Sequence, residues 1–456
     1  MNISVAKIPG LRIFELDLHF DERGWFKENW NQQSVATGGL FDFTPSQNNI
    51  SFNGSTGVTR GFHAEPWDKY VSVANGQVFC AWVDLREGQS FGNVFTYTIH
   101  PGVAVFIPKG VANAFQTLEP NVVYTYLVNG HWDEKAEYKS LNLSDESIKV
   151  KWPIPLTSAE ISEKDRRAPF LRDIEAFSKK KIVILGASGQ IGREVSKLFP
   201  SALSYSSSDC DITSLDALDS LPWPEIGWVI NAAAYTKVDL AETPEGRRKA
   251  WEVNSLAVYK LMGHARKHGT KLIHFSSDYV FDGVQPYPYS ELDIPNPQSE
   301  YGRSKFTGDL SALSHSKTYV FRCSWVVGPG TNFVNTIAKR AISNEDISIV
   351  ADQFGRLTFA VDVAKAVKFF IDNEPPFGLY NLSSQGEMSS WYEIACHIYK
   401  NLKSKGQVSP IKYEDYSSGK SMANRPANSG LNISKITQTG FLPSSQSEML
   451  DNFLRS

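Results

Sequence analysis

The 456-residue sequence has few cysteines, no long apolar run and no excess of charge, and each absence excludes a class of protein. The 46 Lys and Arg residues are balanced by 49 Asp and Glu residues, so the broad basic surface of a nucleic-acid-binding protein is missing. No apolar run approaches the roughly 18 residues of a membrane span, and the first residues lack a signal-peptide pattern. The widely spaced cysteines argue against a disulfide framework or a metal cluster: Cys80, Cys210, Cys323 and Cys396. We therefore expect a cytoplasmic protein that binds neither nucleic acid nor membrane.

The first half of the sequence is predicted to be β structure. Short runs rich in Val, Tyr and Phe lie at residues 94–99, 103–107 and 122–128, with Pro or Gly between them. Asn75-Gly76 separates two further apolar runs, and this dipeptide predicts a β-hairpin with a type I′ turn. Many short strands without a helical period predict a sandwich, jelly roll or barrel.

The pattern changes near residue 180. A stretch with many charges and several prolines ends there, and a short apolar strand, a glycine-rich turn and an amphipathic helix follow from Lys181. Similar apolar strands recur at residues 228–235, 271–281 and 319–328. Alternation of strand and helix predicts a parallel sheet covered on both faces. We predict a first domain at residues 1–175, a linker at 176–180 and a second domain at 181–456.

Three glycines in the turn after the first strand of the second half predict a dinucleotide site. Gly186 suits a tight turn, Gly189 lets the backbone approach a pyrophosphate, and Gly192 permits close packing of the helix on the strand. The helix N-terminus favours the negative charge of a phosphate. The predicted cofactor contacts in this turn are Gly186, Ser188, Gly189, Gln190, Ile191 and Gly192.

The sequence predicts little discrimination between NADH and NADPH. The second strand ends in three serines, at 206–208, with Asp209 and Asp211 just beyond. No carboxylate stands at the usual position to repel a 2′-phosphate, and no arginine stands there to attract one.

A tyrosine and a lysine in the second half have the spacing of a proton-donating pair. Tyr301 and Lys305 are four residues apart and share one face of a helix. A nearby ammonium lowers the pKa of a phenol, so we expect Tyr301 to exchange a proton with a carbonyl oxygen. Ser276 and Ser277 end an apolar strand upstream and could hydrogen-bond the same oxygen.

In these motifs the second half resembles the extended short-chain dehydrogenase/reductases, and most closely the dTDP-4-dehydrorhamnose reductase family. The motifs that carry the resemblance are Asn231–Asp239, Ser277–Gly283, Tyr301–Lys305, Arg322–Trp325, Asp352–Gly355 and Asn424–Pro426. The resemblance implies a Rossmann fold with a small substrate-binding subdomain. It also implies hydride transfer from NADPH or NADH to the C4 ketone of a dTDP-deoxysugar.

The reductase resemblance assigns roles to individual residues. Tyr301 would be the proton donor, Lys305 its activator and Ser277 the hydroxyl that orients the carbonyl. Besides Tyr301 and Lys305, the implied cofactor contacts outside the glycine turn are Asp211, Ile212, Asn231, Ala232, Ala233 and Tyr235. The implied substrate contacts are Trp325, Asn332, Gln353 and Arg425.

The first half contains histidines that are too dispersed for a metal site, at positions 63, 100 and 131. Its ordered motifs are similar to the dTDP-4-dehydrorhamnose 3,5-epimerase family, a metal-independent cupin-like jelly roll: Asp21–Phe26, Gln47–Ser51, Arg60–His63, Val83–Arg86, Ile107–Gly110 and Ser162–Asp165. The resemblance implies that His63 removes the C3 and C5 protons, that Asp165 orients His63, and that Lys69 stabilises the enolate. The implied substrate contacts are Arg23, Glu28, Gln47, Asn49, Arg60 and Asn113.

Two positions depart from the epimerase pattern. Asn113 stands where the family has a histidine, and residues 130–132 read Gly-His-Trp where the family has the tyrosine that donates a proton. His131 is therefore our candidate for the acid. The first half is predicted to be a working epimerase, a one-centre epimerase, or a module that only binds nucleotide sugar or dimerises.

The leading hypothesis is a fused enzyme that epimerises C3 and C5 of dTDP-4-dehydro-6-deoxy-glucose and then reduces C4. Epimerisation must come first because the C4 ketone acidifies the protons at C3 and C5. The alternatives are a reductase that carries an inactive barrel and, with less support, a pair of nucleotide-sugar sensors. A homodimer through the first half is consistent with the family. The sequence leaves open whether the nucleotide is dTDP or UDP and whether magnesium is required.

Overall fold

The computed structural model describes residues 3–37, 43–130, 137–178 and 180–455. The chain forms two compact units that divide between residues 179 and 180. Within the described ranges, we find no helix with the length and apolar character needed to cross a membrane.

The first unit is built almost entirely from short strands. The strands are β1 (Ile3–Val5), β2 (Arg12–Glu15), β3 (His19–Asp21), β4 (Gly24–Phe26), β5 (Gln47–Asn53), β6 (Val58–Ala64), β7 (Lys69–Asn75), β8 (Val78–Asp84), β9 (Val94–Ile99), β10 (Val103–Ile107), β11 (Val111–Thr117), β12 (Val122–Val128), β13 (Lys139–Ser140) and β14 (Glu160–Ile161). The helices are α1 (Gln32–Thr37) and α2 (Glu163–Arg166), with 3₁₀ turns at Glu146–Ile148 and Leu171–Asp173.

These strands form two main sheets, as expected of a jelly roll. The first sheet has the order β1-β2-β10-β7-β12-β5, and the second has the order β13-β6-β11-β8-β9. All neighbours within these orders are antiparallel, while β14 adds to β6 in parallel. A small hairpin of β3 and β4 completes the unit.

The predicted strands at 94–99, 103–107 and 122–128 are confirmed as β9, β10 and β12, but the predicted hairpin is wrong. The strands on either side of Asn75-Gly76 lie in different sheets, because β7 pairs with β10 and β12 while β8 pairs with β11 and β9. Val73 from β7 and Cys80 and Trp82 from β8 are buried in the same core. The turn therefore carries the chain from one sheet to the other, so that both strands bury apolar side chains in one interior.

The second unit alternates strands and helices. The strands are β15 (Lys181–Leu185), β16 (Leu203–Tyr205), β17 (Ile226–Asn231), β18 (Lys271–Ser277), β19 (Thr318–Cys323), β20 (Val326–Val327), β21 (Ile347–Val350), β22 (Phe354–Gly355), β23 (Thr358–Phe359), β24 (Gly378–Leu382), β25 (Ser389–Ser390) and β26 (Val408–Ile411). The helices are α3 (Gln190–Leu198), α4 (Leu215–Asp219), α5 (Pro244–Trp251), α6 (Ala257–His268), α7 (Glu300–Leu313), α8 (Phe333–Ile342), α9 (Ala360–Asn373), α10 (Trp391–Asn401), α11 (Tyr413–Ser417), α12 (Ser434–Gln438) and α13 (Gln446–Arg455), with a π-helical turn at Glu252–Leu256 and 3₁₀ turns at Trp223–Glu225, Leu240–Glu242 and Asp278–Val280.

The main sheet of the second unit is parallel, with the order β16-β15-β17-β18-β19-β24. Separate apolar clusters cover its two faces, which confirms the Rossmann-like fold expected from the sequence. The strand order reverses between β15 and β17, and ligands bind at such a reversal, beyond the carboxyl ends of the strands. A further cluster, which includes side chains of α8, α10 and α13, forms the core of a small subdomain.

Candidate active sites

The jelly roll contains a cavity of about 500 Å³. Strands β6 and β11 of the second sheet line one side, and β7 and β12 of the first sheet line the other. Five residues that the sequence singles out line it together: Arg60, His63, Lys69, Asn113 and Asp165.

His63 and Asp165 form a hydrogen-bonded pair in this cavity. His63 lies on β6, and its Nε2 is 2.8 Å from Asp165 Oδ1. Asp165 lies in α2, whose N-cap Ser162 accepts a hydrogen bond from the Asp165 backbone N–H. Burial raises the pKa of Asp165, but hydrogen bonds with His63, Ser162 and the Gly61 N–H outweigh it and leave the pKa below its usual value. The ionised carboxylate can only accept, so His63 Nε2 donates and Nδ1 is left as the basic atom.

Lys69 already has an ionic partner in the cavity. Its Nζ lies 2.5 Å from Glu65 Oε2, and both side chains are largely buried. The same ammonium lies 5.5 Å from the centre of the Tyr126 ring. The lysine charge that the sequence assigns to the enolate is therefore shared with a carboxylate, which the sequence analysis did not anticipate.

A hydrogen bond between two residues that line the cavity connects the two sheets. Asn113 Nδ2 donates to Tyr124 Oη across the sheets at 3.3 Å, and no described residue hydrogen-bonds its Oδ1. Asn113 pairs with His63 in the ladder between β11 and β6. Beside this pair, Gly61 has a φ of +111°, and a Cβ built there would lie 2.4 Å from the Asn113 carbonyl oxygen. Glycine at this position lets β6 approach β11 closely.

The other residues predicted for this site do not line the cavity: Arg23, Glu28, Gln47 and Asn49. Arg23 is exposed on the hairpin of β3 and β4, where it forms an ion pair with Asp21 at 2.5 Å. Gln47 Nε2 donates to Asn49 Oδ1 at 2.7 Å on β5, the edge strand of the first sheet. His131 lies outside the described residues.

The glycine-rich turn of the second unit is shaped for a close approach of backbone to ligand. Gly186 has a φ of +76°, and a Cβ there would lie 2.5 Å from the Ala233 backbone nitrogen. A Cβ on Gly192 would lie 2.2 Å from the Gly186 oxygen. Helix α3 begins at Gln190, and its N-cap Gly189 supplies no side-chain cap, so the first N–H groups of the helix suit a pyrophosphate. The residues fit a dinucleotide.

The loop after β17 is held by side-chain amides. Asn231 accepts a hydrogen bond from the Ala233 N–H, and its Nδ2 contacts His274 Nδ1 at 3.2 Å. Asn254, in the π-helical turn, binds both the N–H and the C=O of Tyr235, at 2.9 and 3.0 Å. Asn254 is not among the residues predicted from the sequence, because nothing in the sequence shows that this polar side chain is buried.

Two predicted cofactor residues follow β16. Asp211 accepts hydrogen bonds from the backbone and hydroxyl of Thr213, and Ile212 is buried. Asp209 closes its own turn by accepting from Ser206 N and Oγ at 2.9 and 2.6 Å.

The proton-donating residues meet where β18 ends beside α7. Ser277 Oγ hydrogen-bonds Tyr301 and lies 3.0 Å from Asp278 Oδ1. The Tyr301 ring packs edge-on against Tyr279, with 5.5 Å between ring centres. The predicted Ser277 and Tyr301 are therefore in direct contact, and both are largely buried.

The Lys305 ammonium hydrogen-bonds a backbone carbonyl oxygen. Its Nζ donates to the Phe275 carbonyl oxygen at 2.5 Å, and burial lowers its pKa to about 8. Burial and the nearby Asp278 carboxylate raise the pKa of Tyr301, so the lowering expected from Lys305 is not observed. The reason is that the lysine side chain binds a backbone carbonyl while Tyr301 is removed from water.

Asp278 is a further site residue that the sequence analysis left without a role. It is 3% exposed, and burial raises its pKa to about 6. It hydrogen-bonds Ser277 and Ser429, and its charge acts on Tyr301. Its place directly after Ser277 at a strand end was the available signal.

A second cavity, of about 250 Å³, lies between Tyr279 and the small subdomain. Trp325, with a φ of +47°, stacks on Trp391 at a ring distance of 3.6 Å and lines it. Gln353 also lines it, is 4% exposed, and has an Nε2 atom without a hydrogen-bond partner among the described residues. The Gln353 amide therefore has unused hydrogen-bonding capacity beside the cavity.

Two other predicted substrate residues are engaged with protein groups. Both Arg425 terminal nitrogens bind the Asp239 carboxylate at 2.9 Å, although Arg425 still lines the cavity. Asn332 is the N-cap of α8, and its Nδ2 donates to the Gly328 oxygen at 2.8 Å. Asn332 does not line this cavity.

Comparisons with known proteins match both halves of the chain. The family described as the RmlD substrate binding domain matches residues 180–456, and the family described as dTDP-4-dehydrorhamnose 3,5-epimerase matches residues 5–173. A protein RmlC homolog of Streptococcus pyogenes is 44% identical over 185 residues, which cover 39% of this chain and 93% of the relative.

The second half has relatives of known structure. A dTDP-4-dehydrorhamnose reductase of Aggregatibacter actinomycetemcomitans is 36% identical over 295 residues, which cover 60% of this chain and 97% of that protein. The crystal structure of a dTDP-4-dehydrorhamnose reductase from Bacillus anthracis in complex with NADP is 30% identical, covers 61% of this chain and 100% of that chain, and has a TM-score of 0.56. The chain therefore belongs to the RmlD reductase family over residues 180–456 and, in the same polypeptide, to the dTDP-4-dehydrorhamnose 3,5-epimerase family over residues 5–173.

Proposed function

We propose that this chain converts dTDP-4-dehydro-6-deoxy-glucose to dTDP-L-rhamnose by 3,5-epimerisation followed by reduction at C4. The observation that carries the proposal is that one polypeptide holds a His63–Asp165 pair in the jelly-roll cavity and a Ser277–Tyr301 contact beside the glycine-rich turn. The first pair suits proton abstraction, and the second suits protonation of a carbonyl oxygen.

In the epimerase half, His63 Nδ1 takes the proton from C3 or C5. The carboxylate of Asp165 holds the imidazole through Nε2 and stabilises the imidazolium that forms. Lys69 lines the same cavity and opposes the negative charge that develops on the enolate oxygen. Arg60 and Asn113 also line the cavity and bind the substrate in this proposal.

In the reductase half, the glycine-rich turn and the first N–H groups of α3 would hold NADPH or NADH, which would supply hydride to C4. Tyr301 donates its phenolic proton to the C4 oxygen, while the Ser277 hydroxyl orients that oxygen. Tyr301 is protonated at neutral pH because its pKa is raised, which suits a proton donor. Trp325, Gln353 and Arg425 line the adjoining cavity and bind the nucleotide sugar in this proposal.

We propose that either nicotinamide serves as cofactor. The Asp209 carboxylate accepts hydrogen bonds from Ser206 N and Oγ and is thereby engaged within its own turn. A reductase relative binds NADP. The four unpaired cysteines support a reducing cytoplasm as the site of the reaction.

The test uses the intact chain and the 4-keto-glucose nucleotide. In heavy water without nicotinamide, the protein is expected to exchange the C3 and C5 protons of the nucleotide sugar for deuterium. NMR measures this exchange. With NADPH added, the product is expected to be dTDP-L-rhamnose. Reduction without exchange would refute the epimerase half, and exchange without reduction would refute the reductase half.

A second candidate function is a reductase with an inactive barrel, and two observations favour it. Asn113 stands in the position of the family histidine, and the Lys69 charge is paired with Glu65. In that case the intact chain reduces the already epimerised ketone but leaves the C3 and C5 protons of the precursor unexchanged.

We expect the reductase rate to fall above about pH 8. Burial lowers the pKa of Lys305 to about 8, so its ammonium is present below this pH and is lost as the pH rises through it. In this proposal the Lys305 ammonium favours the phenolate that is left on Tyr301 after proton transfer, so the rate falls about tenfold per pH unit on the alkaline side. Steady-state rates of reduction of the epimerised ketone, measured from pH 6 to 10, show whether this alkaline decrease occurs. A rate that stays constant up to pH 9.5 would contradict a requirement for the Lys305 ammonium.

We also propose that the chain is a homodimer through its first unit. Ile50 and Phe52 are 67% and 63% exposed on the edge strand β5, and Phe20 and Phe26 are 74% and 69% exposed on the small hairpin. Exposed apolar side chains on a sheet edge suit an interface between copies. The double substitution Ile50→Ser and Phe52→Ser is expected to convert the dimer to a monomer, as measured by light scattering. Leu442 is exposed in the second unit, and Leu442→Ser should leave the dimer intact.

A further inference from the structure

We propose that Asp278 relays a proton to Tyr301 through the Ser277 hydroxyl and so restores the proton donor of the reductase half after each turnover. The inference rests on the proposed reductase function and adds a step that this function requires. Once Tyr301 has given its proton to the C4 oxygen, the phenolate must regain one before the next ketone can be reduced.

The Ser277 hydroxyl lies between the two groups that exchange the proton. Its Oγ hydrogen-bonds Tyr301 and lies 3.0 Å from Asp278 Oδ1. The Tyr279 backbone N–H donates to the same oxygen at 3.2 Å and holds it in place. A hydroxyl can accept one hydrogen bond while it donates another, so Ser277 can pass a proton from the carboxyl group to the phenol.

The inner groups of this route are removed from water, whereas its outer end reaches a cavity. Tyr301, Ser277 and Asp278 are 9%, 7% and 3% exposed. The Ser429 hydroxyl hydrogen-bonds Asp278 and lines the cavity of about 250 Å³ beside the small subdomain. A proton from water in this cavity can therefore pass through Ser429 to Asp278.

The chemistry of Asp278 suits a relay. Burial raises its pKa to about 6, and no described residue forms an ion pair with it. The titratable groups on which its charge acts are Tyr279 in its own turn, Tyr301 on α7 and Cys323 on β19. A carboxyl group whose pKa lies near neutrality gains and loses a proton readily. Because the pKa of Tyr301 is raised, transfer of this proton to the phenolate is favourable.

The proton transfers balance over one turnover. The Tyr301 O–H bond breaks as its proton goes to the C4 alkoxide. The Ser277 O–H bond then breaks, its proton restores the phenol, and Ser277 Oγ takes the proton of the Asp278 carboxyl group. The carboxylate regains a proton from cavity water through Ser429, so one proton passes from solvent to the C4 oxygen and the enzyme returns to its starting state.

Asp278→Asn separates the first turnover from those that follow, because an amide keeps the shape of the side chain but does not carry the proton onward. The intact variant is mixed rapidly with NADPH and the epimerised ketone, and NADPH absorbance is followed. We expect one equivalent of NADPH to be oxidised within about threefold of the parent's first-turnover rate, since Tyr301 begins with its proton. The steady-state rate should then be about a hundredfold below that of the parent, the lower end of a general acid–base contribution. A merely structural role would lower both phases together.

Ser429→Ala applies the same test at the outer end of the route and should also slow the later turnovers more than the first. Asp362→Asn is the matched control, because Asp362 is likewise 3% exposed but lies on α9, away from the cavity. It should keep the parent's ratio of first-turnover to steady-state rate.

Two outcomes would overturn the inference while leaving the parent enzyme a reductase. One is a steady-state rate within about threefold of the parent in both Asp278→Asn and Ser429→Ala, and the other is an equal fall in both phases. If the parent protein itself oxidises no NADPH with the epimerised ketone, the proposed reductase function fails instead.

Discussion

Tyr301→Phe is expected to lower the rate of C4 reduction by about 10²–10⁴-fold, the usual contribution of a positioned proton donor. The ring and its edge-on contact with Tyr279 are retained, so the substitution removes the hydroxyl that contacts Ser277 and little else. Without it, no phenolic proton is available to the developing C4 alkoxide. Loss of NADPH absorbance with the epimerised ketone measures the effect.

The control for this prediction is Tyr259→Phe, a tyrosine that is 65% exposed on α6. It should reduce the ketone at the parent rate. Exchange of the C3 and C5 protons in heavy water should persist in Tyr301→Phe, because that reaction belongs to the other unit. Reduction by Tyr301→Phe within threefold of the parent would remove Tyr301 from the proposed mechanism.

Asp165→Asn is expected to lower deuterium uptake at both C3 and C5 by about 10²–10⁴-fold, by analogy with the aspartate of a serine-protease triad. The carboxylate accepts the proton of His63 Nε2 at 2.8 Å, which leaves Nδ1 as the base. An amide keeps the shape but removes the charge, and its NH₂ group can favour the tautomer with the proton on Nδ1. The imidazolium also loses its counter-charge.

NMR of the 4-keto-glucose nucleotide in heavy water measures this loss. His63→Ala should lose uptake at least as completely, since it removes the base itself. Asp173→Asn, in a nearby 3₁₀ turn outside the cavity, is the control and should retain uptake. If Asp165→Asn exchanges protons at the parent rate, the pair is structural and the reductase-only alternative gains support.

Strand positions in the first unit could be predicted, whereas strand partners could not. Residues 94–99, 103–107 and 122–128 have the length and β-branched content of strands, and they form β9, β10 and β12. The Asn75-Gly76 turn was interpreted as a hairpin, but β7 and β8 belong to facing sheets. Turn chemistry specifies a local reversal, while the choice of sheet depends on which residues share a core.

The residue types at the sites were predictable from motif context, but their pairings were not. Motifs place His63 with Asp165 and Ser277 with Tyr301, and the structure brings each pair into contact. The binding of Lys305 to a backbone carbonyl depends on a strand 30 residues away in sequence. Partners of this kind are set by tertiary packing, which spacing along the chain does not encode.

Glu65 and Asp239 are two further partners that spacing along the chain does not reveal. Each neutralises a cation that the sequence analysis reserved for substrate, Lys69 in the first unit and Arg425 in the second.

The tight contact at Gly61 has an evolutionary consequence. Any residue larger than glycine would press against the Asn113 carbonyl oxygen and displace the strand that carries His63. A single base change in this codon could therefore silence one activity of the fused gene while the other remains under selection. Lineages that acquire the epimerised sugar nucleotide from a separate enzyme would tolerate such an allele, and a change at this codon would be an early sign that the barrel is drifting towards a purely structural role.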